Sequence, residues 1–198
     1  MAKYIDTLLR RTLVDMMDEK PLDDISVVEL TERAEVNRKT FYNHFPDIAA
    51  LIVSAVWQEL DEITGESPAF QDWEQALHGI VEWLKGHDDF VRAVYASRCK
   101  GAFLQAFQER MGEKVAKVVD DAIVWLGNYH GETYDVTRYQ RKYLTRYYTG
   151  VICSVIICWI EGGMRESVNE TVRLVGVLNS DGLFDGVRQF TIANENKD

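Results

Sequence analysis

The chain has 198 residues, a formal net charge of -10 from 22 Lys and Arg against 32 Asp and Glu, and 46% hydrophobic residues. That length can bury a sizeable core in one large domain or two small ones, and the composition excludes wholesale disorder. The acidity excludes a protein coated in basic surface, while leaving room for a small basic element on an acidic body.

Helical periodicity runs through the whole chain. Over residues 3–18, Ile5, Leu8, Leu9, Leu13, Met16 and Met17 recur at three- and four-residue steps and predict an amphipathic helix. Lys20-Pro21 ends it, because proline lacks an amide donor and disfavours helix in the residue before it. Ser26-Val27-Val28-Glu29 fits a capping box, in which Ser and Glu side chains satisfy each other's orphan amides, and predicts a short helix to Ala34. After a break at Glu35-Val36, Asn37 is placed to cap a third short helix over 38–44, ended by Phe45-Pro46-Asp47. A fourth helix carries Ile48, Leu51, Ile52, Ala55, Val56, Leu60 and Ile63 as its stripe.

Gly65-Glu66-Ser67-Pro68 is the clearest internal boundary. Beyond it the pattern predicts helices over 70–85, 88–98 and 102 to about 128, a loop to 135, a long helix over 136–161 stopped by Gly162-Gly163, and another over 168 to about 178. Ser167 and Glu170 give that last one a capping-box start. The tail from 179 holds one more short helix and a frayed end. By composition alone 151–157 reads as a buried strand. Its helical flanks decide for helix.

The three cysteines, Cys99, Cys153 and Cys158, have no framework spacing, which points to a reducing cytosol. Cys153 and Cys158 sit five apart, about 140° apart around a helix, and are not expected to pair. Cys99 lies between Arg98 and Lys100, cations that can lower a thiol pKa, and is a candidate redox sensor. No signal peptide is expected, since the N-terminus lacks a continuous apolar stretch. The longest polar-poor run, 147–160, is shorter than the roughly 20 residues of a membrane span. A cytoplasmic protein without a membrane partner is expected.

The four histidines, His44, His78, His87 and His130, form no H-x3-H pair, and there is no Cys-x2-Cys, Gly-rich phosphate loop or G-x-S-x-G. No catalytic residue, metal or cofactor is expected, and an all-helical enzyme is disfavoured.

The first 47 residues carry the informative constellation. Two short helices separated by a tight break have the layout of a helix-turn-helix. In the second of them, Phe41 and Phe45 are four apart and can bury. Arg38, Lys39, Thr40, Tyr42, Asn43 and His44 are left for a partner. Arg and Lys can pair with guanine, Asn with adenine, and Tyr, Thr and His with phosphates.

At these residues the chain resembles the TetR family of bacterial transcriptional regulators. The match runs over residues 25–52. Thr40-Phe41-Tyr42-Asn43-His44-Phe45 corresponds to the family's T-[LF]-Y-x-[HY]-F signature, and Ala34-Glu35-Val36-Asn37 to its A-G-V-S turn. The stretch ending WIEGGMRES resembles Firmicutes-type members. The resemblance implies an all-α fold: a three-helix helix-turn-helix DNA-binding domain at 1–47, a connecting helix at 48–65 and a helical ligand-binding and dimerisation domain at 66–198. It implies that Lys3, Ser26, Asn37, Arg38, Lys39, Thr40, Tyr42 and His44 face DNA, with Arg38, Lys39 and Thr40 toward bases and Tyr42 and His44 toward phosphates. Two positions depart from the pattern. Glu35 stands where the family has Gly, so a positive φ there is costly. Ile48 stands where the family often has a phosphate-holding Lys, leaving the amides at the start of that helix.

The implied function is a ligand-responsive repressor that binds a near-palindromic operator in double-stranded DNA. It would act as a homodimer through the last two long helices and be released by a small effector. Aromatic residues in the body, Trp83, Tyr95, Phe103, Phe107, Trp125 and Tyr147, are candidates for lining an apolar or aromatic effector's site, against the plainer reading of core packing. Tyr147 and Tyr148 are adjacent, so at most one faces a given pocket. The rival is a helix-turn-helix-derived protein adaptor with weakened DNA binding, which Glu35, Ile48 and the acidity favour.

Overall fold

The structure, a computed structural model, describes residues 2–65, 69–131, 133–179 and 182–195, without the side chains at 2, 3, 177–179, 183, 184 and 192–195. Among the described residues there is helix and no strand. The helices are α1 (Ala2–Met17), α2 (Val27–Arg33), α3 (Arg38–His44), α4 (Ile48–Thr64), α5 (Trp73–Gly86), α6 (Asp88–Ala96), α7 (Lys100–His130), α8 (Arg138–Glu161), α9 (Val168–Asn179) and α10 (Gly182–Glu195). Residues 151–157 are helical, inside α8. Several helix edges differ from the sequence reading by a few residues, two of them for clear local reasons. Phe70–Asp72 is a 3-10 turn, and the Phe70 amide donates to the Asp121 carboxylate at 2.6 Å. Ser97 is extended, which ends α6 early, and its hydroxyl oxygen accepts from the Cys99 amide at 3.1 Å just ahead of α7.

The chain divides into two compact units, Met1–Leu60 with Gly86–Phe107 and Asp61–Lys85 with Gln108–Asp198. In the first, α1 packs on α2 and α2 on α3. Leu9, Leu13, Leu30, Phe41, Leu51 and Ile52 are fully enclosed. Each such side chain contributes about 1.5–3 kcal/mol relative to exposure. Within this unit Arg10 ties α1 to α4, donating to Ser54 Oγ at 2.6 Å and to Gln58. Trp57, which the apolar stripe of the sequence passes over, is buried with its ring 5.1 Å from Phe107.

In the second unit α8, α9 and α10 pack on one another. Thr137 caps α8 with a full capping box through Gln140. Gly79 of α5 lets the end of α4 approach closely: a Cβ there would stand 2.6 Å from Ile63 Cγ2. Asp61 of α4 pairs with Lys114 Nζ at 2.8 Å and Arg110 Nη2 at 3.0 Å, both from α7, and Lys114 is almost fully buried. Burial works to raise the Asp61 carboxyl, but hydrogen bonds from Lys114 and Arg110 outweigh it and hold the group below the ordinary carboxylate range. Among the described helices α8 is the one long and apolar enough to cross a membrane by length and composition. Only a third of its most apolar 18 residues is buried.

Candidate nucleic-acid interface

The α2–α3 corner is built by local chemistry. Ser26 caps α2, its hydroxyl oxygen accepting from the Glu29 amide at 3.2 Å. The reciprocal half of the expected capping box is replaced, because the Glu29 carboxylate pairs with Lys20. The turn then requires a left-handed residue, and Glu35 adopts φ +54°, the strained value its departure from glycine implied. Its amide donates to Glu32 O at 3.1 Å and the Val36 amide to Thr31 O at 2.9 Å, so the turn closes in spite of the strain. Asn37 caps α3, with Oδ1 accepting from the Lys39 amide at 2.8 Å.

Along α3 the two faces separate as the spacing predicts. Phe41 and Phe45 are buried with ring centroids 6.1 Å apart. Asn37, Arg38, Lys39, Tyr42 and Asn43 are exposed and Thr40 is half-buried. The Tyr42 ring stands edge-on to Phe41 at 5.3 Å, which orients it while half its surface stays open. Ser26 is exposed, with its oxygen engaged in the cap. His44 is half-buried, with Nδ1 2.5 Å from Asp6 Oδ1. The side chain of Lys3 lies outside the described residues.

Two further facts concern the frame around α3. Arg33 clamps Glu19 with two hydrogen bonds of 2.5 Å, tying α2 to the end of α1, and this bond holds the Glu19 carboxyl below its usual range. At Ile48 the amides of α4 are less available than the sequence suggests, since the Asp47 carboxylate already accepts from the Ala50 amide at 2.8 Å.

The six aromatic candidates are shared between the two units. Tyr95, Phe103 and Phe107 belong to the first unit and Trp83, Trp125 and Tyr147 to the second. Phe103 and Phe107 are buried beside Trp57, and Trp83 is buried. Trp125 stacks on the exposed Tyr129 at 5.0 Å. Of the adjacent tyrosines, Tyr147 is 61% exposed and Tyr148 is enclosed, with burial pushing its hydroxyl up to about 12. The helical register of α8 thus puts Tyr148, not Tyr147, inside.

Cys99 does not have the lowered pKa expected from its cationic neighbours. Burial, then the negative charges of Asp23 and Asp47, push the thiol up. Arg98 is turned away to Asp23.

Residues 71–181 match a TetR-type family model described as a transcriptional regulator C-terminal region. Among curated proteins, the transcriptional regulator EthR of Mycobacterium tuberculosis is 28% identical over 97 residues, 44% of this chain and 45% of that protein. The chain thus spans less than half the length of that relative. The dhaKLM operon transcriptional activator DhaS of Lactococcus lactis is 20% identical over 78% of this chain and 80% of its own. Among solved structures, a DhaS chain superposes with a TM-score of 0.60 at 18% identity, covering 94% of this chain and 97% of that one. Thermus thermophilus FadR, described as a TetR family repressor in complex with lauroyl-CoA, gives 0.59 at 12% identity, over 91% and 94%.

Proposed function

This chain belongs to the TetR family of transcriptional regulators, and from that premise we propose that it is a cytoplasmic, ligand-responsive repressor that reads a near-palindromic operator as a homodimer. Residues 1–47 are the reading head, 48–65 connect it, and 66–198 sense the effector and dimerise. The observation that carries this reading is the division of α3. Phe41 and Phe45 anchor it, while Arg38, Lys39 and Tyr42 stand exposed on the opposite side. Arg38, Lys39 and Thr40 meet base edges, and Tyr42 and His44 meet phosphates. Lys3, Ser26 and Asn37 complete the contact surface.

Two copies join through α8 and α9. The part-exposed apolar half of α8, together with Leu174 of α9, supports this face. The two-fold then sets two recognition helices about 34–36 Å apart or more. The effector is apolar or aromatic and shifts the dimer toward a form whose heads no longer match the operator, by its difference in affinity for the two forms.

The test is binding to duplexes from the DNA upstream of the chain's own coding sequence. Specific binding should weaken steeply as salt rises. Lys39→Ala and Tyr42→Ala should each cost about 1–3 kcal/mol without unfolding the protein. Unaltered affinity in both variants means that α3 does not read DNA. Absence of any specific binding leaves the adaptor as the better account.

A further inference from the structure

His44 ends α3, and its side chain is mostly covered. Nδ1 lies 2.5 Å from Oδ1 of Asp6 on α1. A carboxylate accepts hydrogen bonds and cannot donate them, so the hydrogen in this contact belongs to Nδ1. In the neutral ring that leaves Nε2 as a bare acceptor. A phosphate oxygen is an acceptor too. A neutral His44 held in this way offers a lone pair to the group it is proposed to bind. The imidazolium, with a hydrogen on each nitrogen, donates to Asp6 and to a phosphate at the same time.

Several charged groups on the surrounding elements have partners of their own. On α1, Arg10 is held by Ser54 and Gln58 of α4. Ahead of α4, the Asp47 carboxylate is engaged by the Ala50 amide. The first turn of α4, Ile48-Ala49-Ala50-Leu51, carries no charge. On α2, Glu29 pairs with Lys20 and Arg33 with Glu19. On α3 itself Arg38 and Lys39 stand at the opposite end. Asp6 is the carboxylate in ion-pair contact with the ring, and the neighbouring ring is the apolar Phe45, 6.3 Å away.

We infer that Asp6 is a positioning residue that fixes His44 in the Nδ1–H tautomer, so that each reading head takes up a proton at His44 when it grips a DNA phosphate. The inference rests on the DNA-reading function proposed above. Its sign follows from linkage. A complex that holds one more proton at each head than the free protein does weakens as pH rises, by up to about tenfold per pH unit for each head. Imidazoles ordinarily titrate within about pH 5–8, where this is measurable.

Two measurements on the full chain test it. The first needs no DNA: long-range proton–nitrogen NMR of the neutral histidine rings in the wild-type protein. The expected result is His44 with hydrogen on Nδ1 and none on Nε2, reverting toward the Nε2–H form in Asp6→Ala. An Nε2–H ring in the wild type overturns the assignment. The second is affinity for duplexes of about 40 base pairs tiled from the upstream DNA, from about pH 5.5 to about pH 8.5 at constant salt. Wild-type affinity should fall with pH. Asp6→Asn, which can still accept from Nδ1 but carries no charge, should move that fall to lower pH. His44→Arg, a permanent cation, should flatten it. A flat wild-type profile with the Nδ1–H tautomer present overturns the proton uptake. Absence of binding at every pH overturns the DNA-reading function, and with it this use of the pair, while the tautomer result stands separately.

Discussion

Arg98 grips Asp23 through both its backbone and its side chain. Its amide donates to the Asp23 carboxylate at 2.9 Å, and its guanidinium donates to the Asp23 carbonyl at 2.9 Å. The turn between α6 and α7 is thereby fastened to the short 3-10 turn that follows α1. The Arg98 side chain is 81% exposed, so its own part is weak. Arg98→Ala should change stability by less than about 0.5 kcal/mol, and Asp23→Ala, which also strands a backbone amide, should cost about 1 kcal/mol. Urea melts compare the two. If this clasp carries the effector's signal to the head, Asp23→Ala should bind operator normally but release it less completely when effector is added.

Glu35 holds φ +54° without glycine's freedom. Glu35→Gly should therefore stabilise the protein by about 0.5–1 kcal/mol, the relief of a left-handed side chain less the extra entropy of an unfolded glycine. Glu35→Ala keeps the Cβ and should give no comparable gain. A denaturant midpoint that does not rise for Gly over Ala would show that the turn is unstrained.

The Asp61–Lys114–Arg110 group predicts an order of damage. Asp61→Ala takes a carboxylate partner from the buried Lys114 ammonium, which also donates to the Thr64 hydroxyl and the Gly65 carbonyl, and should cost about 3 kcal/mol. Lys114→Met leaves Asp61 still paired with Arg110 and should cost about 1 kcal/mol. The folded-state carboxyl is depressed, so its contribution is present above the unfolded Asp pKa of about 3.9 and is lost as pH falls through the lower folded value. Asp61→Asn should flatten the acid side of the stability curve in that window.

Gly79 and Ile63 form a contact that tolerates no added atom. Gly79→Ala should cost about 1–3 kcal/mol, because the opposing Cγ2 belongs to a stiff β-branched side chain. Adding Ile63→Ala should recover most of that loss. Simple additivity in this double-mutant cycle would mean that the helices part without strain.

The helical class, the α2–α3 corner and the buried face of α3 were legible because each is written locally. A cap residue, a proline or a four-residue apolar step decides them within one or two turns. What escaped depends on residues distant in sequence. Trp57 lies off the apolar stripe of its helix, and the ring it stacks on, Phe107, stands fifty residues on. Lys114 carries no local signal of burial, and its partner Asp61 lies more than fifty residues away in sequence. The thiol of Cys99 departs from what its adjacent cations predict, because burial and the carboxylates of Asp23 and Asp47 act on it from elsewhere in the chain. Among the proposed DNA-facing residues, side-chain identity suggested a contact for His44 but could not reveal that Asp6 already occupies one of its nitrogens.

The unequal setting of the three thiols has a practical use. Cys153 is buried, with its thiol pushed up to about 11, and Cys99 is half-buried and also pushed up. Cys158 is exposed on α8. A maleimide should therefore find one fast-reacting site in a single chain. Because α8 is the proposed meeting surface, slowing of that reaction as protein concentration rises would report directly on how copies of the chain assemble.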